Sequence, residues 1–293
     1  MDELRHLWRR ADDSGFWWVS VWDHFYPAQT EATGTCFEAV SCHTALAALT
    51  TNVRCGCLVY AAAYRNPAML AKVATTIDHL SGGRMELGIG AGWHVDEFAA
   101  YGVPFLSPGA RLRQMDEAAQ IIKGLWTQER TTVHGEHFQV TDAILNPKMV
   151  QASPRLWMGT RGPKALAITA RHADAWNAAF VTPEDWGARN ARLTQELEAI
   201  GRDPASVLRS VNVGLVLAGD QAGADAKRAV YDQQFGAAAD NVLGGSLYGT
   251  PQQAIDKVGE YRDAGADLVI VALRAPFDLD GFEVFIDEVK PAF

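Results

Sequence analysis

Residues 78–93 read DHLSGGRMELGIGAGW and join the end of a helix to a buried strand. The helix before them begins at Asn66-Pro67, a capping residue followed by a proline at the first helical position. Ser81-Gly82-Gly83 ends this helix, and Arg84–Ile89 is the apolar run of a strand. The buried stripe of the helix repeats at helical spacing: Leu70, Val73, Ile77 and Leu80. A helix that leads directly into a buried strand is the repeating unit of a parallel α/β fold.

The same alternation of strands and helices extends over the whole chain of 293 residues. It predicts seven strands, at residues 17–22, 53–59, 84–89, 156–159, near 175, 209–217 and 268–273. We therefore predict an α/β fold, a (β/α)8 TIM-type barrel that forms a single domain over residues 1–293. The chain opens on a helix, so the first strand of such a barrel is expected to be missing. Residues 128–150 interrupt the alternation and predict an inserted hairpin.

Composition and charge exclude several classes of protein. Lys and Arg number 26 against 35 Asp and Glu, which gives a net charge of −9, and the chain is 48% hydrophobic and 21% charged. This is the composition of a globular protein, and the acidic balance argues against nucleic acid as a partner. There is no run of 18 apolar residues and no signal-peptide core, so we expect no membrane partner and a cytoplasmic location.

Four cysteines occur without a C-x-x-C pair: Cys36, Cys42, Cys55 and Cys57. Cys55 and Cys57 lie two positions apart in an apolar run, which places both on one face of a strand. We predict buried free thiols, in agreement with a cytoplasmic location. No H-E-x-x-H motif occurs either, and no metal site is predicted.

Asp23 and His24 stand at the end of the first predicted strand, on the face where parallel barrels keep their active sites. A histidine at this place can hydrogen-bond a ring carbonyl or transfer a proton. The alternative interpretation is a hydrogen-bonded Asp-His pair that only caps the strand.

Several motifs, taken in order, resemble the bacterial luciferase-like monooxygenase superfamily. They span nearly the whole chain: Gly15 to Phe25, Tyr64 to Pro67, residues 78–93, Trp157 to Lys164, and Ala173 to Asn177. Within the superfamily the chain is most similar to the oxidoreductases that use the deazaflavin coenzyme F420 in place of FMN. One departure is Trp17-Trp18, where the family carries a small polar pair. We expect these two rings to pack on the outer helices.

The resemblance implies a site at the ends of the strands. His24 is expected to face the cofactor ring as the catalytic acid/base or ring-polarising group. Asp23 beside it is predicted to take part in catalysis and in cofactor binding. The resemblance also implies a non-prolyl cis peptide under the ring, which we assign to the Cys57–Leu58 bond. Cys57, Leu58 and Val59 are therefore predicted to contact the cofactor.

The glycines that follow the third predicted strand allow two interpretations. They lack the third glycine spacing and the downstream acidic residue of a dinucleotide fingerprint. Glycines at a strand end let a flat ring approach the backbone, or they serve close packing between barrel elements. On the first interpretation Gly90, Ala91 and Gly92 contact the cofactor.

A candidate anion site follows the strand at 156–159. Gly159, Thr160, Arg161 and Gly162 lead into a helix, whose first N–H groups bind anions, and Arg161 adds a bidentate donor. We predict that the cofactor phosphate binds here, with an ordinary turn as the alternative. Other cations that could meet an anionic tail, or that are only surface charges, are Arg54, Arg65, Lys72 and Arg84.

Trp93 and His94 follow the glycines and are predicted, on weaker grounds, to contact the substrate. Asp96 and Glu97 fit the positive N-terminus of a helix better than a catalytic role. A related class, the sugar-phosphate dehydrogenases, carries a glutamate where this chain has Trp93, which argues against that activity.

The resemblance implies an F420-dependent oxidoreductase that transfers a hydride between the coenzyme and a small organic substrate. The alternative is an FMN-dependent monooxygenase on the same fold, and a second alternative is a flavin-binding barrel without catalysis. The set of arginines for a long anionic tail favours F420. A two-fold homodimer is expected, because this symmetry is the commonest among soluble oligomers.

Overall fold

The computed structural model describes residues 1–27 and 34–293, and the chain divides into two compact units, Met1–Asp174 and Ala175–Phe293. Both units are built from parallel strands and helices. The single domain over residues 1–293 stays a prediction. None of the described helices is long and apolar enough to cross a membrane.

The first unit begins with a helix, as predicted. Its elements are α1 (Asp2–Asp13), β1 (Trp18–Val21), α2 (Ala39–Leu49), β2 (Arg54–Ala61), α3 (Pro67–Ser81), β3 (Met85–Gly90), α4 (Val95–Ala100), α5 (Pro108–Thr127), β4 (Thr131–His134), β5 (Gln139–Ala143), β6 (Leu156–Gly159) and α6 (Pro163–His172). Strands β1, β2, β3 and β6 are parallel neighbours in that order. The predicted hairpin is present as β4 and β5, which pair with each other in a separate two-stranded sheet.

Local capping explains where the helices begin and end. The Asn66 side chain accepts hydrogen bonds from two N–H groups of the first turn of α3, with Pro67 at its first position. At the other end Gly82 has a φ of +65°, a left-handed conformation that glycine adopts without strain. Both ends were predicted from the sequence.

One face of the parallel sheet packs against helices α2, α3 and α5. Alternate residues of β2 and β3 point into this core, among them Cys55, Cys57, Met85, Leu87 and Ile89. The two strand cysteines therefore share a face, as predicted. All four thiols are free; Cys36 is half-buried and the other three are buried.

The opposite face of the same sheet is concave. The rings of Trp18, on β1, and Trp157, on β6, stack with centroids 4.4 Å apart, although two strands lie between them. Strands are about 4.8 Å apart, so a flat sheet would hold these rings about 14 Å apart. Trp18 thus packs inside the curve, and Trp17 is 40% exposed. The expectation that both rings pack on the outer helices is wrong, because strand alternation turns Trp18 inward.

A buried carboxylate lies beside the stacked rings, near the start of the strands. Glu86 is bound by the guanidinium groups of Arg54 and Arg155, and it accepts a hydrogen bond from Trp157 Nε1 (2.6 Å). Trp17 lies over both guanidinium groups. This cluster fills the concave face at the end opposite to the candidate site.

The second unit repeats the parallel arrangement. It contains β7 (Ala175–Ala179), α7 (Pro183–Ala199), β8 (Leu208–Leu217), α8 (Gln221–Phe235), α9 (Ala239–Gly244), β9 (Ser246–Gly249), α10 (Pro251–Asp263), β10 (Leu268–Ala272) and α11 (Leu279–Val284). Strand β8 is parallel to β7, β9 and β10. Strand β9 was not predicted, since its four residues lie among glycines that indicate a loop.

Candidate functional site

The carboxyl ends of β1, β2 and β3 are joined by hydrogen bonds. Asp23, just after β1, accepts from Ala61 N–H at the end of β2 (3.0 Å). Ala62 N–H then donates to Gly90 O at the end of β3 (2.9 Å). The predicted site residues after these strands are therefore brought together at one edge of the first unit, where catalytic residues of parallel barrels lie.

Asp23 is anchored through one of its two oxygens. Its side chain is 1% exposed, and Oδ2 also accepts from Arg65 Nη1 (2.7 Å). Burial raises the pKa of Asp23, against the lowering effect of the Arg65 guanidinium. The second oxygen, Oδ1, is buried without a hydrogen-bond partner in the described part of the chain. Asp23 thus has one acceptor oxygen that a ligand could satisfy.

His24 is held by Glu97, the first residue that the sequence reasoning missed. Its Nδ1 lies 3.0 and 3.1 Å from the two carboxylate oxygens. The His24 side chain is 18% exposed and that of Glu97 is fully buried. No hydrogen bond of His24 Nε2 occurs within residues 1–27 and 34–293, which leaves this nitrogen for a ligand.

Glu97 also binds the chain that follows His24. Its Oε1 accepts from Phe25 N–H (2.9 Å) and Tyr26 N–H (3.1 Å), and its Oε2 accepts from Tyr64 Oη (3.2 Å). Burial alone would raise the pKa of Glu97, but the Tyr26, His24 and Phe25 hydrogen bonds together hold it below its ordinary value. Glu97 is therefore an ionised carboxylate at neutral pH.

The interpretation of Glu97 as a helix-terminus charge is incomplete. Glu97 does lie in the first turn of α4, but its carboxylate binds His24, Phe25 and Tyr26. Asp96 is exposed and fits that role, whereas the next residue turns inward together with Phe98. The six residues of α4 are too few to show a helical period, so the pattern could not tell the two carboxylates apart. The one available signal was the adjacent Phe98, which marks the buried face.

Aromatic rings surround His24. Trp22 and Trp93 both meet its ring edge to face, with centroids 5.4 and 5.5 Å away, and the His94 ring lies at 6.0 Å. Trp93 is 65% exposed. The two residues predicted to contact substrate, Trp93 and His94, are therefore beside His24 and accessible.

Strand β2 ends in an irregular segment at the predicted cofactor residues. Its register with β3 shifts between Cys57 and Tyr60, and the Leu58–Val59 peptide is cis. The assignment of the cis bond to Cys57–Leu58 is wrong by one residue, because a sequence pattern locates an irregularity without fixing its register. Cys57 is fully buried on the helix side, so it lies behind the strand, whereas Leu58 and Val59 are half-buried.

The glycines of β3 and β6 make room for Val59. A Cβ atom on Gly90 would lie 2.7 Å from Val59 Cγ2, one on Gly88 would lie 2.8 Å from Val59 Cγ1, and one on Gly159 would lie 3.1 Å from the same atom. A Cβ on Gly92 would lie 2.6 Å from the Phe98 ring. These distances favour the packing interpretation of the glycines over direct approach of a ring.

The candidate anion site is the start of α6. Gly162 caps this helix without a side-chain hydrogen bond, Pro163 holds its first position, and Arg161 and Lys164 are exposed. No hydrogen bond or ion pair of Arg161 occurs within the described residues. Thr160 is buried and its hydroxyl pairs with that of Thr169 (2.8 Å), so it supports the turn from inside.

The four other cations bind the protein itself. Arg54 binds Glu86, and Arg84 donates to the carbonyls of Val53 (2.6 Å) and Thr50 (2.8 Å), both near the start of the strands. Arg65 pairs with Asp23 and Glu38, and Lys72 donates to a backbone carbonyl. The grouping of these residues around an anionic tail is therefore not supported.

Comparison with known proteins fixes the family. The family model described as luciferase-like monooxygenase matches residues 1–268. The chain belongs to the luciferase-like monooxygenase family. Members of this family are enzymes, and the predicted resemblance is confirmed.

Two relatives of known activity differ in cofactor. The chain is 30% identical over 209 residues to an F420-dependent glucose-6-phosphate dehydrogenase of Kineococcus radiotolerans, covering 70% of this chain and 61% of that one. It is 30% identical over 178 residues to an FMNH2-dependent dimethylsulfone monooxygenase of Pseudomonas putida, covering 59% of this chain and 47% of that one. The match spans about half to three fifths of the length of these luciferase-like relatives.

A solved structure has the same fold. It is an F420-dependent secondary alcohol dehydrogenase in complex with an F420-acetone adduct, with a TM-score of 0.87 and 19% identity, covering 99% of this chain and 94% of that one. This likeness confirms the predicted fold class, the α/β TIM-type barrel.

Proposed function

We propose that this protein is an F420-dependent oxidoreductase that transfers a hydride between the coenzyme and a small organic substrate. The observation that carries the proposal is the His24–Glu97 pair at the end of β1, in which Nδ1 is held by a buried carboxylate and Nε2 is left for a ligand. A deazaflavin, when bound, supplies hydride chemistry without activating oxygen. Each hydride transfer is accompanied by one proton, and His24 Nε2 is the atom that takes or gives it.

Features of the site fit a flavin-like ring. Asp23 Oδ1 is buried and unpartnered among the described residues, so it can accept an N–H of the ring. The half-buried Leu58–Val59 segment, supported from behind by Gly90 and Gly159, offers an apolar surface for one face of the ring. Trp93 and His94 would then meet the substrate on the side of His24.

The start of α6 fits the cofactor phosphate. The first turn of this helix has no side-chain cap, and Arg161 lacks a protein partner in the described segments. Uncapped N–H groups and a free guanidinium form an anion site without rearrangement. Of the predicted phosphate residues, Gly159 and Thr160 shape the turn, and Arg161 and Gly162 stand at its open side.

The FMN-dependent monooxygenase remains the second candidate, on a specific observation. The four cations considered for a long anionic tail bind the protein itself, which leaves the start of α6 as the candidate anion site. A site for one phosphate is sufficient for FMN. In favour of F420, the F420-dependent relative aligns with 70% of this chain and the FMNH2-dependent relative with 59%.

A binding titration decides between the two cofactors. A cofactor bound beside His24 should quench the tryptophan fluorescence of the purified protein, because Trp93 and Trp22 border His24. On the proposed function we expect F420 to do so at lower concentration than FMN. With F420 bound, His24→Gln is expected to lower the hydride-transfer rate by about 10²- to 10⁴-fold, and His6→Gln, an exposed change on α1, to leave it unaltered. The proposal would be overturned if FMN bound more tightly than F420, or if the protein bound neither cofactor.

The phosphate assignment has its own test. Loss of a charge-assisted hydrogen bond in Arg161→Ala should raise the Kd of the cofactor about 10-fold or more. The matched control is Arg130→Ala, because Arg130 is an exposed arginine paired with Asp142 in the hairpin. Equal affinities of the two variants would remove the phosphate from the start of α6.

A further inference from the structure

We propose that Glu97 is a positioning residue that fixes His24 in the tautomer with its proton on Nδ1, so that Nε2 exchanges the proton with the substrate. The chemical role of Nε2 rests on the function proposed above, whereas the tautomer itself is a property of the protein alone. Glu97 does not touch the reacting atoms and acts only through His24.

The donors around Glu97 determine its protonation. Oε1 accepts from two backbone N–H groups, Phe25 (2.9 Å) and Tyr26 (3.1 Å), which can only donate. Oε2 accepts from the Tyr64 hydroxyl (3.2 Å). These donors stabilise the charged form of the carboxylate by more than burial destabilises it, in agreement with the lowered pKa of Glu97.

The state of Glu97 then dictates the state of His24. An ionised carboxylate has no proton to give, so the nitrogen 3.0 Å from it must carry one. The neutral imidazole consequently keeps its lone pair on Nε2, and the cation carries a second proton there. A ring held by its Nδ1 in this way cannot rotate without breaking the contact with a buried charge.

The neighbouring polar groups do not compete for Nδ1. The Tyr64 hydroxyl binds Glu97, the Asp23 carboxylate binds Arg65 and Ala61 N–H, and the His94 ring centroid is 6.0 Å from that of His24. The Cys36 thiol donates to the backbone carbonyl of His24 (3.2 Å) and does not reach the ring. Glu97 alone among the described residues contacts the ring nitrogen.

The chain contains an opposite case that serves as an internal reference. His43 is fully buried between Tyr60 Oη (3.1 Å from Nδ1) and Cys55 O (3.0 Å from Nε2). A carbonyl only accepts, so His43 carries its proton on Nε2. Burial lowers the pKa of His43 to about 4, which keeps this ring neutral at pH 7 and above.

The test is the ¹⁵N spectrum of histidine-labelled protein without cofactor, at a pH where His24 is neutral. Protonated and lone-pair ring nitrogens resonate far apart, and His24→Asn and His43→Asn assign the signals. We expect a proton on Nδ1 of His24 and on Nε2 of His43. A His24 proton on Nε2 in the unaltered protein would overturn the proposal without any Glu97 variant.

Glu97→Gln provides the causal test. The amide oxygen of glutamine can keep the bonds from Phe25 and Tyr26, while its NH2 group faces Nδ1 and donates, which moves the His24 proton to Nε2. The matched control is Asp96→Asn, which removes a carboxylate from the adjacent exposed position. Unchanged His43 signals show that the variant is folded, and an unchanged His24 tautomer in such a variant would contradict the proposal.

The kinetic consequence separates this inference from the proposed function. In Glu97→Gln we expect a kcat lower by about 10²-fold or more, with the Kd of F420 changed by less than about 3-fold. A correct tautomer in a protein that binds neither cofactor would refute the function and leave the positioning role intact. Cofactor turnover with an unaltered kcat in Glu97→Gln would refute the positioning role alone.

Discussion

Among single residues, Val59 packs closely against three glycines, Gly88, Gly90 and Gly159. The Cβ of alanine in Gly90→Ala would lie 2.7 Å from Val59 Cγ2. A β-branched side chain has little rotamer freedom to move away, so we expect a loss of about 1–3 kcal/mol in the free energy of unfolding. Urea denaturation measures it.

The control for this change is Gly259→Ala. Nothing lies within 4 Å of a Cβ at this position, which is in the interior of α10. Alanine is favoured over glycine by up to about 1 kcal/mol in a helix, so this variant should be as stable as the unaltered protein or slightly more so. Equal stability of Gly90→Ala would mean that the glycines are not needed for packing.

The sequence located some of these residues and not others, for physical reasons. Asp23 and His24 follow a strand, and the end of a parallel strand can be predicted from alternation. Glu97 could not be assigned because α4 is only six residues long, and its role depends on a fold contact with a residue 73 positions earlier. The predicted grouping of cations around an anionic tail failed because a sequence gives the charge of a side chain but not the partner that neutralises it.

At the level of elements, α1 is fastened to the turn before β2 by one carboxylate. Asp12 accepts from the N–H groups of Thr51 (2.8 Å), Asn52 (2.8 Å) and Val53 (2.7 Å). Burial raises the pKa of Asp12, but these bonds outweigh it and hold the pKa below the ordinary value of 3.8. Its stabilising contribution is therefore complete above pH 3.8 and is lost as pH falls through the lower folded-state value.

We expect Asp12→Asn to cost about 1–3 kcal/mol at pH 7, because the amide group opposes N–H donors. The difference from the unaltered protein should shrink as pH falls below 3.8. Thermal unfolding at several pH values measures this, with Asp13→Asn, the exposed neighbour, as the control. A difference that does not vary with pH would show that the charge of Asp12 is not what fastens α1.

Element boundaries followed the sequence where capping residues were present. Asn66-Pro67 marks a helix start that the structure confirms, and Thr250 forms a capping box with Gln253 at the start of α10. Strand β9 escaped prediction because Gly244, Gly245 and Gly249 around it suggest a loop, and only pairing with β8 makes it a strand.

For the molecule as a whole, exposed apolar residues suggest where the interface of the expected homodimer lies. Met69 and Leu80 are 66% and 55% exposed and lie three turns apart on one face of α3, so the prediction that Leu80 belongs to the buried stripe of this helix is wrong. Ile144 and Val150 are 50% and 51% exposed. They flank Lys148, whose backbone carbonyl is hydrogen-bonded to His79 on α3. Exposed apolar side chains on neighbouring segments favour an interface between copies, and we predict that the dimer forms here.

Light scattering should give about twice the chain mass of 31.9 kDa. Leu80→Glu should return the protein to the monomer, and Ile200→Glu, a change at an equally exposed apolar residue in the second unit, should not. A monomer in the unaltered protein would contradict the dimer. A dimer that survives Leu80→Glu would move the interface to another surface.

Fold class was predictable because alternating strands and helices over 293 residues leave few alternatives to a parallel α/β fold. The direction in which the first sheet curves could not be predicted, because Trp17 and Trp18 are equally apolar. Only the pairing of Trp18 with Arg54 shows which of the two rings points inward.

The stacked rings of Trp18 and Trp157 also have an optical consequence. Indoles with centroids 4.4 Å apart and planes inclined by 29° share their excited states, which splits their ultraviolet bands into a pair of opposite circular-dichroism sign. The contribution of this pair exists only while β1 and β6 curve toward each other, and Trp18→Phe separates it from the contribution of Trp176 and Trp186, whose ring centroids lie 5.4 Å apart. The protein therefore carries an intrinsic spectroscopic reporter of the curvature of its first sheet, and needs no attached dye for it.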